Sequence, residues 1–73
     1  MDHSIRAEMV ASVHSVVVDA GATVAAGDTL MILESMKMEI PVLAEYAGTI
    51  REISVAPGEV VQEGDVLAIV AKA

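Results

Sequence analysis

A primary amine stands between two thioethers near the middle of this 73-residue chain, with carboxylates close on either side: Glu34-Ser35-Met36-Lys37-Met38-Glu39-Ile40. The only other lysine, Lys72, falls in the last two residues. A lysine amine is a nucleophile toward activated acyl groups and carbonyls once it has lost its proton. No cysteine competes with it, and no hydroxyl has a His and an Asp or Glu placed around it as a triad. Lys37 is therefore the side chain on which covalent chemistry would centre. Most lysines on half-exposed strands are solvated surface, so the elements that carry Lys37 must decide.

Those elements read as strands. The sequence is 55% hydrophobic, with one Tyr and neither Phe nor Trp, so the core must come from Val, Ile, Leu, Ala and Met. The β-branched members of that set favour extended backbone. An internal repeat organises them. Gly21 and Gly58, Gly27 and Gly64, and Asp28 and Asp65 all stand 37 positions apart. At that offset Val13 matches Ile50, Val16 matches Ile53, Val24 matches Val61, Leu30 matches Leu67 and Ile32 matches Ile69. Each half reads as an alternating strand (12–18 and 49–55), a turn, a short Val-containing segment, a Gly-Asp turn and a final strand. In the second half the first turn is Ala56-Pro57-Gly58-Glu59, with Pro presetting φ and Gly accepting a positive φ.

A unit this short cannot bury its own apolar face, so the halves must pack on each other. The expected fold is all-β: a sandwich or flattened barrel about a pseudo-twofold axis. One domain fills 1–73, with about 5–71 ordered and residues 1–4 and 72–73 frayed. The register places Lys37 at the junction of the two units, at the tip of a tight hairpin. Two-residue hairpins call for Asn, Asp or Gly at positive φ, and Met-Lys supplies none. A local rule broken at one spot points to function there.

Here the sequence resembles the biotinyl/lipoyl attachment domain family. It more closely resembles the biotin carboxyl carrier domains of biotin-dependent carboxylases, in their small free-standing form. The resemblance runs from about Ile5 to Ala71. It rests on Glu34-Ser35-Met36-Lys37-Met38-Glu39, on Ile40-Pro41-Val42, on Ala47-Gly48-Thr49-Ile50, and on Gly58 with Gly64-Asp65. It implies a flattened barrel or sandwich of two four-stranded antiparallel sheets, with Lys37 on an exposed β-turn and both termini at the opposite end. A biotin protein ligase would join biotin to the Lys37 amine, with Met36 and Met38 aiding recognition and Glu34, Ser35 and Glu39 as further contacts. The partners implied are that ligase and the biotin carboxylase and carboxyltransferase subunits of a carboxylase. The chain itself would be a carrier, not a catalyst. The stretch Ala7-Glu8-Met9-Val10-Ala11 departs from the family's Ala-Pro-Met-x-Gly, which implies a looser first half.

Two other functions remain: a lipoyl carrier, against which Met36 and Met38 argue, and an unmodified structural or adaptor domain of the same fold. His3 and His14 lack the neighbours of a metal site and read as frayed terminus and strand surface. Met9 and Met31 read as core fillers, and Tyr46 as a packing residue with a wet hydroxyl. The formal charge of −7 sets eleven acids against four scattered cations, which argues against nucleic acid as a partner. No apolar run suits a membrane span, no basic leader opens the chain, and the lack of cysteine suits the cytoplasm.

Overall fold

The computed structural model describes residues 2–73. Eight strands follow one another: β1 (Asp2–Arg6), β2 (Ala11–Val16), β3 (Thr23–Val24), β4 (Thr29–Ser35), β5 (Met38–Leu43), β6 (Gly48–Ile53), β7 (Val60–Val61) and β8 (Val66–Lys72). They form two four-stranded antiparallel sheets, ordered β1-β8-β6-β3 and β5-β4-β2-β7. Each sheet keeps two edges, so the architecture is an open two-sheet sandwich. No helix occurs among the described residues.

The 37-residue offset maps one sheet onto the other: β1 onto β5, β2 onto β6, β3 onto β7 and β4 onto β8. Polar details repeat as faithfully as the apolar ones. The Asp28 carboxylate accepts from the Ala25 amide at 2.8 Å, and Asp65 accepts from Gln62 at 2.9 Å. The Gly21 amide donates to the Ile50 carbonyl at 2.7 Å, and Gly58 donates to Val13 at 2.8 Å. These bonds run between the two halves and lock them together. At Gly58 φ is +93°, with Pro57 before it, as the sequence of that turn requires.

The core has two adjoining parts, related by the same symmetry. Val13, Met31, Leu33, Val61 and Leu67 lie in one, while their mates Ile50, Ala68, Val70, Val24 and Leu30 are divided between the two. Met31 is fully buried, as a core filler should be, whereas Met9 is 40% exposed and is not one. The segment before β2 is also firmly tied. The Ala7 amide donates to the Asp65 carbonyl, and the Ala7 carbonyl accepts from Gly64, both at 2.8 Å. The expected looseness there is thus absent at Ala7.

Both chain ends depart from expectation. Residues 2–4 belong to β1, pairing Asp2 with Ala71, His3 with Val70 and Ser4 with Ile69. At the other end Lys72 pairs with Gly48, and the Ala73 amide donates to the Ala47 carbonyl at 2.9 Å. Met1 lies outside the described residues. His3 is accordingly a strand residue, with its ring edge-on to Tyr46 at 5.0 Å between centroids. The Lys72 ammonium sits over the Tyr46 ring at 4.0 Å, a cation–π contact. Tyr46 therefore packs as expected, between two residues expected to fray.

The long strands also stop short of Val18 and Val55. Both valines lie in connections yet still pack on the core.

Candidate functional site

β4 and β5 are consecutive neighbours whose pairing runs Leu33 with Ile40, Glu34 with Glu39 and Ser35 with Met38. That register leaves two residues, Met36 and Lys37, to turn the chain. Their φ angles are +52° and +63°, the only positive values at non-glycine residues among those described. Positive φ at both central positions is the signature of a type I′ hairpin, whose twist matches that of its flanking strands. The sequence chemistry argues against this turn, yet the register imposes it. An L-residue held there costs roughly 1–2 kcal/mol through the close approach of Cβ to the following carbonyl.

The hairpin stands on a firm base. Leu33, 3% exposed, and Ile40 beside it join the last turn of the ladder to the core. Ser12 on β2 donates its hydroxyl to the Glu34 carbonyl at 3.3 Å. His14 is the extra residue of a bulge in β2 and places Nε2 3.7 Å from the Glu39 carboxylate. The symmetry mate of that pair is Arg51 with Asp2, at 3.5 Å, with Arg51 at the equivalent bulge of β6. Both pairs are largely solvated and brace the sheets only weakly. His14 is thus strand surface, as its sequence context suggested.

The side chains at the tip face water. Met36 is 92% exposed and Met38 66%, though thioethers of that size are usually covered. Lys37 is exposed, and among the described residues no carboxylate lies within ion-pairing distance of it. Glu34 and Glu39 flank the hairpin as a cross-strand pair of like charge, and Ser35 closes it opposite Met38. The six residues singled out from the sequence, 34–39, therefore form one continuous surface feature. Sequence reasoning missed Ser12 and the pairing of His14 with Glu39, which depend on strand order and on the bulge.

The whole is a two-layer sandwich made from a doubled unit, with Lys37 displayed where the halves join. Comparisons with known proteins give its family. The profile of a family described as biotin-requiring enzyme, the biotin/lipoyl family, matches residues 3–70. The chain belongs to that family. It is 53% identical over 70 residues to the "Biotinylated protein TB7.3 homolog" of Mycobacterium leprae, covering 96% of this chain and 99% of that protein. It is 46% identical over 69 residues to Bacillus subtilis pyruvate carboxylase, covering 94% of this chain and 6% of that protein. A solved single-chain, multi-domain long-chain acyl-CoA carboxylase superposes with a TM-score of 0.93 at 33% identity, over 99% of this chain and 7% of that one. The fold is thus that of a small part of these carboxylases.

Proposed function

We propose that this chain is a biotin carrier and that Lys37 is its acceptor. The observation that carries this reading is the hairpin tip, where Lys37 stands unpaired at positive φ between two exposed methionines. A lysine amine attacks only once it has lost its proton, so a biotin protein ligase must take that proton and supply an activated acyl group. The Lys37 Nζ then forms an amide bond to the acyl carbon as the activating group leaves. The amide carries no charge, and the formal total moves from −7 to −8. Met36 and Met38 offer the ligase apolar surface to cover, and Glu34, Ser35 and Glu39 offer it polar contacts around that surface.

When bound, biotin supplies a ureido nitrogen that accepts and returns a carboxyl group. This chain's part is positional. The paired strands hold the attachment point clear of the domain, and the lysine side chain gives it reach toward the biotin carboxylase and carboxyltransferase partners. Tethering keeps the effective concentration high at both sites. The acidic surface favours encounter with basic rims on those partners.

Parallel reactions with a biotin protein ligase and a lipoate ligase test the reading. The wild type should gain one biotinyl group, gain no lipoyl group, and fail to react as Lys37→Arg. Lipoylation in place of biotinylation would make the chain a lipoyl carrier, and no reaction with either ligase would leave the structural or adaptor role.

A further inference from the structure

The edge strands β1 and β5 do not meet, and between them lies a cleft of about 160 Å³. One end of it approaches the acceptor hairpin. The paired Leu33 and Ile40, each three residues from the turn, mark that end, and Met9, Pro41 and Glu8 also line the cleft. Met9 is the methionine that the core does not use, 40% exposed, in a segment where the chain turns from β1 toward β2. Pro41 lies on an edge strand, where its lack of an N–H is tolerated. The cleft is concave and mixed in character, with apolar side chains beside the Glu8 and Glu45 carboxylates and the Arg6 guanidinium.

We propose that this end of the cleft is a docking site for the acyl group carried on Lys37. The inference rests on the biotin reading of the hairpin. Distance allows it. At about 3.3 Å per strand residue, Ile40 and Pro41 lie roughly 10–13 Å from Lys37 along β5. The biotinyl-lysine arm has eleven bonds between Cα and the ring; each is about 1.5 Å long and advances about 1.25 Å, so the arm reaches roughly 14 Å. Val42 and Leu43 are farther, so the bicyclic ring lies at the Ile40 end. Chemistry allows it as well. The thioether face of the ring packs on Met9 and Ile40, as sulfur and aliphatic groups do in cores. The ureido N–H groups point outward to the Glu8 carboxylate, a charge-assisted acceptor. Docking is shallow and reversible, so the arm is shared between the cleft and solvent, and a partner that binds the ring more tightly draws it out.

The test compares three forms of the whole chain by NMR: unmodified, biotinylated on Lys37 and acetylated on Lys37. Intact mass first confirms that each modification is complete, so a failure of Lys37 to accept biotin is seen separately from a failure to dock. The expected result is a shift of the Met9 methyl, the Ile40 methyls and the Glu8 amide in the biotinylated form alone. A second measurement is the rate of capture by streptavidin. If the arm is docked for half the time, capture is slowed about two-fold. Met9→Glu, an exposed change that puts like charge beside Glu8 and removes the apolar contact, should restore the faster rate. Shifts confined to residues 35–39, with equal capture rates, overturn the proposal. Cleft shifts that arise only when the ligase is added also overturn it, since they make the cleft a protein-docking surface.

Discussion

Replacing Met36 with glycine should stabilise the fold while impairing modification. Met36 sits at φ +52° and is 92% exposed, so its side chain adds conformational cost and almost no burial. Removing its Cβ relieves roughly 1–2 kcal/mol. The greater freedom of glycine in the unfolded chain takes back about 0.4–1 kcal/mol. The net gain is about 0.8 kcal/mol, and in a domain of this size it raises Tm by about 3–6 °C. Met38→Gly is the control. Met38 pairs with Ser35 inside the ladder, where glycine costs roughly 0.5–1 kcal/mol, so its Tm should fall. Both variants should also be poorer ligase substrates. Covering a methionine side chain in an interface is worth about 1.5–3 kcal/mol, so losing it lowers kcat/KM by about 10–100-fold. Thermal melts followed by circular dichroism and single-turnover biotinylation read the two effects. A Met36→Gly protein that melts below the wild type refutes the strain argument, and one biotinylated at the wild-type rate refutes the recognition argument.

Other changes probe the scaffold. A methyl added at Gly48 would meet the backbone carbonyl of Ala71 on the neighbouring strand, which cannot move aside cheaply. Gly48→Ala should cost about 1–3 kcal/mol or more and broaden the β6 and β8 amide signals in an NMR spectrum. Leu30 and Leu67 are both fully buried, and truncating either to Ala should remove about 2–5 kcal/mol, enough to unfold much of a domain this small, as urea titration would show. Asp2→Asn breaks only the solvated pair with Arg51 and should alter stability by less than about 1 kcal/mol in the same titration.

The doubled architecture was legible because both halves obey the same constraints. Val13 and Ile50, or Leu30 and Leu67, must reach the core from equivalent strands, and Gly-Asp must close equivalent turns, so the spacing survives in the residue types. β1 was missed although the same offset contains it: residues 2–6 align with Glu39–Leu43. It is an edge strand with polar outward positions, and its pairing to β8 depends on partners sixty or more residues away. The hairpin was legible in a different way. Its position followed from the repeat, but Met36 and Lys37 carry no turn propensity, and only the Ser35–Met38 pairing forces them into left-handed backbone. The cleft left no sequence signal, since it forms where two edge strands fail to meet.

The central claim is that the fold selects one amine of the two lysines for biotin. The direct measurement is residue-level mass mapping after reaction with a biotin protein ligase, ATP and biotin, on folded protein. Lys72 serves as the internal control, since its ammonium lies over Tyr46 in a paired strand. The account predicts a single biotinyl group, found on the peptide containing Lys37 and absent from Lys72. Label on Lys72, or on both lysines equally, would contradict it.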